Sequence, residues 1–134
     1  MIHLDTSFLV DLLREEARGR PGAAANLLER MEKDELGASV FVACELMSGA
    51  ELSAHPQKER RNVEHLFSSL QVDYPDERFA PAYARLLAWQ SRREGRIATM
   101  DLLIATSCIV SGAGLVTRDT KDFSRVPGLD LIRY

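Results

Sequence analysis

A chain of 134 residues, 46% hydrophobic and 28% charged, is long enough to bury one core and too short for two domains of ordinary size, so one unit over residues 1–134 is expected. The formal net charge of −3 argues against a protein that grips nucleic acid by bulk positive charge. No apolar run reaches bilayer length and no signal-peptide pattern opens the chain, which excludes a membrane role and implies a cytoplasmic protein.

Met1-Ile2-His3-Leu4 reads as a short buried strand, and Asp5-Thr6-Ser7 as the turn and cap of a helix striped by Phe8, Leu9, Leu12 and Leu13. Gly19 to Gly22 breaks that helix, and periodicity resumes from Ala23 to Lys33, giving a helical hairpin. Leu36-Gly37-Ala38 is a second strand, after which Ser39 caps a helix from Val40 to about Ser53. His55-Pro56 marks a boundary, because a residue before proline avoids helical geometry.

Lys58 to Leu70 carries Val63, Leu66, Phe67 and Leu70 at helical spacing, and Gln71 to Tyr74 is a third candidate strand. Pro75-Asp76 opens a helix to about Arg93; its Leu86, Leu87 and Trp89 serve either a core face or an apolar contact. Ile97 to Val110 is a largely buried helix with Thr99 as cap, ended by Gly112-Ala113-Gly114. Leu115-Val116-Thr117 and Leu129 to Ile132 complete four to five short strands. Strands alternating with helices imply a parallel sheet with right-handed crossovers, hence an α/β fold of three-layer α/β/α sandwich type.

Three carboxylates stand alone in otherwise uncharged stretches: Asp5 within Met1–Val10, Glu45 within Gly37–Ala50, and Asp101 within Ile97–Thr117. A buried carboxylate is costly unless paired, hydrogen-bonded or metal-bound, and no basic neighbour in sequence neutralises these. One divalent cation shared by several of them answers all three. Asp5 directly follows the first strand and Asp119 follows the fourth by two residues, where open α/β sheets bind ligands. Asp101 lies near a helix start, and Glu45 shares an inward helical face with Val42, Leu46 and Gly49. Capping roles compete for Asp5 and Asp101, and Arg118-Asp119-Thr120-Lys121-Asp122 reads equally as a polar turn in which Asp122 rivals Asp119.

An all-carboxylate site suits Mg²⁺, or Mn²⁺, rather than zinc, and such sites serve phosphate chemistry. His3, His55 and His65 lack metal-ligand spacing, while Cys44 and Cys108 in apolar helical stretches read as buried reduced thiols. The hydroxyls of Thr6, Ser7 and Thr117 are candidates to orient a water or ligand beside the acids. Arg92, Arg93, Arg96, Arg118 and Lys121 offer a track for an RNA backbone, or equally a solvated helix end and turn.

Ile2 to Ser7, Ala43-Cys44-Glu45-Leu46, Ile97 to Ala105 and Leu115 to Asp119 resemble the successive acidic motifs of PIN domains, and Asp122 to Leu129 resembles the tail of VapC toxins. The likeness spans the chain in order. It implies an endoribonuclease toxin acting on cellular RNA of the tRNA or rRNA class. Asp5 and Asp101 would hold the metal, with Glu45 and Asp119 completing an acidic quartet. It further implies a homodimer and a VapB-like antitoxin that blocks the site. Rival readings are a PIN-like module that binds RNA or protein without cutting, a phospho-acceptor receiver domain, which lacks its acidic pair and mid-chain acceptor here, and a DNA-directed nuclease.

Overall fold

The computed structural model describes residues Met1–Tyr134. The chain runs β1 (Ile2–Leu4), α1 (Thr6–Arg18), α2 (Ala23–Arg30), β2 (Leu36–Ser39), α3 (Val40–Glu51), α4 (Pro56–Phe67), β3 (Gln71–Asp73), α5 (Phe79–Ser91), α6 (Thr99–Ser111), β4 (Gly114–Val116), α7 (Thr120–Phe123) and β5 (Leu131–Ile132). All four strand pairings are parallel, in the order β3-β2-β1-β4-β5. The expected α/β/α sandwich is the observed architecture.

The chain lays β2 and β3 to one side of β1, then returns to place β4 and β5 on the other. The sheet therefore has a topological switch point between β1 and β4, where their carboxyl ends leave a crevice. The register pairs Leu4 with Val116, and the Asp5 amide donates to the Val116 carbonyl at 2.9 Å. Asp5 and Thr117 are thereby fixed side by side at the mouth of that crevice.

Burial holds this frame. Leu4, Leu115 and Val116 from the sheet pack with Phe8, Leu9, Val42, Leu102 and Ile104 from the helices, all essentially solvent-free. Each such side chain contributes about 1.5–3 kcal/mol relative to exposure. The α1–α2 turn has a specific fastening: the buried Glu15 carboxylate accepts from the amides of Gly22 (2.5 Å), Ala24 (3.1 Å) and Ala25 (3.0 Å). At the start of α2 these donors would otherwise lack partners, because the N-cap Gly22 has no side chain to meet them.

Boundaries depart from the sequence reading where local signals compete. α2 ends at Arg30 rather than Lys33, and α4 starts at Pro56, which takes a first-turn position that needs no amide hydrogen. Thr99 is the first helical residue of α6 and caps nothing; Ala98 holds the N-cap position without a side-chain bond. Gly112 ends α6 as expected, at φ 66°, a left-handed conformation that glycine adopts without strain. The short α7 was not anticipated. Cys44 is exposed, against the expectation of burial, while Cys108 is buried. α3 is apolar almost all round, so periodicity could not tell its buried Val42, Ala43, Leu46 and Ala50 from its outer face. No helix is long and apolar enough to cross a membrane.

Candidate active site

Asp5 occupies the N-cap position of α1 with extended backbone (φ −77°, ψ 160°), yet its side chain caps nothing. It turns instead to the crevice, 4% exposed, where Oδ2 accepts from Thr117 Oγ1 at 2.7 Å and Ser7 Oγ at 3.2 Å. The wholly buried Thr117 oxygen also accepts from the Asp119 amide at 3.0 Å, so one hydroxyl ties Asp5 to the backbone that carries Asp119. Ser7 Oγ accepts from the Arg118 amide at 3.1 Å and completes the link between the β1 and β4 ends. Burial pushes the Asp5 carboxyl above its ordinary pKa, and the Thr117 and Ser7 hydroxyls counter that only in part.

Glu45, midway along α3, is half-buried, and its Oε1 accepts from Thr6 Oγ1 at 2.6 Å. Thr6, Ser7 and Thr117 thus all contact the acids, each as a hydroxyl that orients a carboxylate.

The tightest acidic group is formed by three other side chains. Asp101, in the first turn of α6, comes together with Asp119 and Asp122, each offering a carboxylate oxygen within 4.8 Å of the others. The sequence set Asp119 against Asp122; the structure brings both to Asp101, because Asp119 occupies the N-cap position of α7, without a side-chain capping bond, and Asp122 lies one turn on, on the same side. Asp5 and Glu45 stand outside this tight group but within its field. Asp101 is pushed up to about pKa 6, first by burial and then by the negative charges of Asp5, Asp119, Glu45 and Asp122.

Positive charge is nearly absent from this center. No lysine or arginine nitrogen lies within 4 Å of Asp5, Glu45, Asp101 or Asp119; only Arg125 approaches, at 3.9 Å from Asp122. Arg92, Arg93, Arg96 and Lys121 are exposed, Arg93 stacking over Trp89 at 4.3 Å. Arg118 is engaged by Asp11 at 3.0 Å, and Tyr134 donates to the same carboxylate at 2.6 Å. Asp11 and Arg125 were missed in the sequence. Asp11 sits among ordinary α1 surface charges, and no spacing rule singles out Arg125.

A PIN-domain family model matches residues 2–129. The chain belongs to the PIN-domain family. Its relatives are VapC proteins: it is 32% identical over 127 residues to Ribonuclease VapC19 of Mycobacterium tuberculosis, covering 94% of each chain. It is 29% identical over 130 residues to Ribonuclease VapC1 of Haemophilus influenzae, covering 94% of this chain and 92% of that one. Among solved structures, VapBC2 from Rickettsia felis, bound to a promoter DNA fragment, superposes with a TM-score of 0.91 at 27% identity, covering 100% of this chain and 99% of that one. The PIN domain here is thus of the VapC kind.

Proposed function

We propose that this PIN domain is a metal-dependent endoribonuclease, the toxin of a toxin–antitoxin pair, that cleaves cellular RNA of the tRNA or rRNA class in the cytoplasm. The observation that carries the reading is the convergence of Asp101, Asp119 and Asp122 within 4.8 Å, with no basic side chain on Asp101 or Asp119. Carboxylates so crowded repel one another, and this repulsion adds to burial in raising the pKa of Asp101. A hard divalent cation with oxygen preference, Mg²⁺ or Mn²⁺, suits such a donor set.

Asp101, Asp119 and Asp122 would hold the ion directly, and Asp5 and Glu45 would add their negative charge to the site. When bound, the metal supplies an activated water and charge stabilisation for in-line displacement at phosphorus. The chain's own groups set the geometry. Thr117 and Ser7 fix the rotamer of Asp5, and Thr6 fixes Glu45. The exposed Arg92, Arg96 and Lys121 draw a phosphate backbone toward a center that would otherwise repel it.

A VapB-like antitoxin is the expected partner, since the VapBC2 neighbor is a complex of this kind. It would occupy the cleft of about 390 Å³ floored by Val10, Leu13, Leu46 and Val63, which reaches the site at Thr6 and Glu45. A homodimer would use the α5 face, where Leu87 is exposed and Trp89 half-buried.

The test is incubation of the antitoxin-free protein with total RNA and single-stranded DNA, with Mg²⁺ or EDTA, beside folded Asp5→Ala and Asp101→Ala variants. Cleavage of RNA alone, lost with EDTA and in both variants, is expected. Cleavage that survives EDTA or either substitution refutes the reading.

A further inference from the structure

The two segments that bring the tight acidic group together, the start of α6 and the turn of α7, are far apart in sequence. One side chain bridges them. Arg125 lies just past α7, its backbone fixed by the buried Phe123 and Val126 on either side. Its guanidinium donates from Nη2 to the Glu94 carbonyl and, at 2.5 Å, to the Gly95 carbonyl in the α5–α6 loop. The same guanidinium stands 3.9 Å from Asp122.

The loop is shaped to receive it. Gly95 has φ 76°, and a Cβ there would lie 2.9 Å from Arg125 Nη2 and 3.0 Å from Nη1. Any other residue would meet both a strained backbone and the guanidinium. The far end of the loop is held separately: the buried Gln90 side chain accepts from the Ile97 amide at 2.9 Å, and Ile97 is itself 3% exposed. Arg96 lies between these fastenings and Arg92 at the C-cap of α5 just before them; both are exposed and have no carboxylate within 4 Å. Unpaired cations on a pinned loop, beside a crowd of acids, are placed to meet a polyanion at low ordering cost.

We propose that Arg125 is a positioning residue that clamps the α5–α6 loop to α7, holding Arg92 and Arg96 in place to receive the phosphate backbone of the RNA. The inference rests on the ribonuclease reading for its ligand. It does not rest on cleavage. The clamp acts through a planar fork on two carbonyls, a geometry that lysine does not reproduce.

The experiment is done in an Asp101→Asn background, so that a labelled mixed-sequence RNA oligonucleotide is bound but not cut. Anisotropy gives the affinity, and amide hydrogen exchange reports on residues 94–97. Two phosphate contacts are worth at most about 25-fold at about 0.1 M salt, roughly 0.7 log units each. Arg125→Gln is expected to weaken binding about fivefold or more and to accelerate exchange in the loop. Arg125→Lys is expected to behave like Arg125→Gln. Arg92→Ala/Arg96→Ala is expected to weaken binding without faster exchange, and adding Arg125→Gln to it to cost nothing further.

Gly95→Ala, which leaves Arg125 intact, is expected to give the Arg125→Gln result and stands in should Arg125 variants fold poorly. Restoration of binding by Arg125→Lys, effects that multiply, or weakened binding with unchanged exchange would each overturn the clamp. So would a background chain that binds no RNA. Failure of the unsubstituted chain to cut RNA, with the clamp results as expected, would instead sink the ribonuclease reading alone.

Discussion

Replacing Asp101 by asparagine should stabilise the metal-free protein at neutral pH and leave it unchanged in acid. Asp101 has a folded-state pKa of about 6 against an ordinary 3.8, raised by burial and by four neighboring carboxylates. A raised pKa means that folding favours the protonated acid. The stability it allows is fully present below about pH 4 and is lost as pH rises through about 6. The shift of about 2 units corresponds to a ceiling of about 3 kcal/mol at roughly 1.4 kcal/mol per unit. Asp101 is only partly buried, so solvent screening reduces this to about 1–2 kcal/mol. Asparagine keeps the shape and cannot ionise.

Urea or thermal denaturation in EDTA should therefore show Asp101→Asn melting roughly 4–8 °C above the parent at about pH 7.5, with the two curves merging near about pH 4. Mg²⁺ should raise the parent more than the variant, narrowing or reversing the gap between them. A variant that melts at or below the parent at neutral pH in EDTA would refute the electrostatic reasoning, because it would mean that burial and the neighboring charges do not disfavour the ionised Asp101.

Three further outcomes follow from other parts of the structure. Thr117→Val removes the hydroxyl that joins Asp5 to the Asp119 backbone; it should cost about 1–3 kcal/mol in a denaturation curve and lower RNA cleavage about tenfold or more through misplaced acids. Glu15→Ala leaves the first amides of α2 without their acceptor and should cost about 1–3 kcal/mol, with cleavage per folded molecule unchanged. Burial acts to raise the Glu15 pKa, but the three amide donors outweigh it and hold it low, so its contribution is present at neutral pH and lost as pH falls below about 4.5. In the native protein a thiol reagent should label Cys44, which is exposed, and spare Cys108, whose thiol burial drives upward in pKa and out of reach; labelling of both without denaturant would contradict the fold around α6.

The sheet and most helices were legible because their signals are local. Short apolar runs ending at Asp5, Ser39 and Thr117 announce strands that terminate in polar groups, and alternation with helices imposes parallel pairing. The isolation of Asp5, Glu45 and Asp101 among uncharged residues was an equally local signal, and the structure finds all three in one field of charge. What sequence could not give was convergence in space. Asp119 and Asp122 were indistinguishable until α7 wound them onto one side, and the reach of Arg125 back to Gly95 spans 30 residues. Cys44 was misjudged because an apolar helix has no polar stripe to reveal its outer face. Thr99 looked like a cap but fell inside the helix, since Ala98 already had the extended backbone of the cap position.

Titration of Mn²⁺ into the metal-free protein, followed by calorimetry or by the loss of free-ion paramagnetic signal, probes the acidic center without any need for the right RNA. Binding is expected at about pH 7.5, weakening below about pH 6 as Asp101 takes up a proton, and falling about tenfold or more in Asp101→Asn. Binding of undiminished strength in Asp101→Asn, or none in the parent, would show that the acids gathered at the switch point are not a metal center.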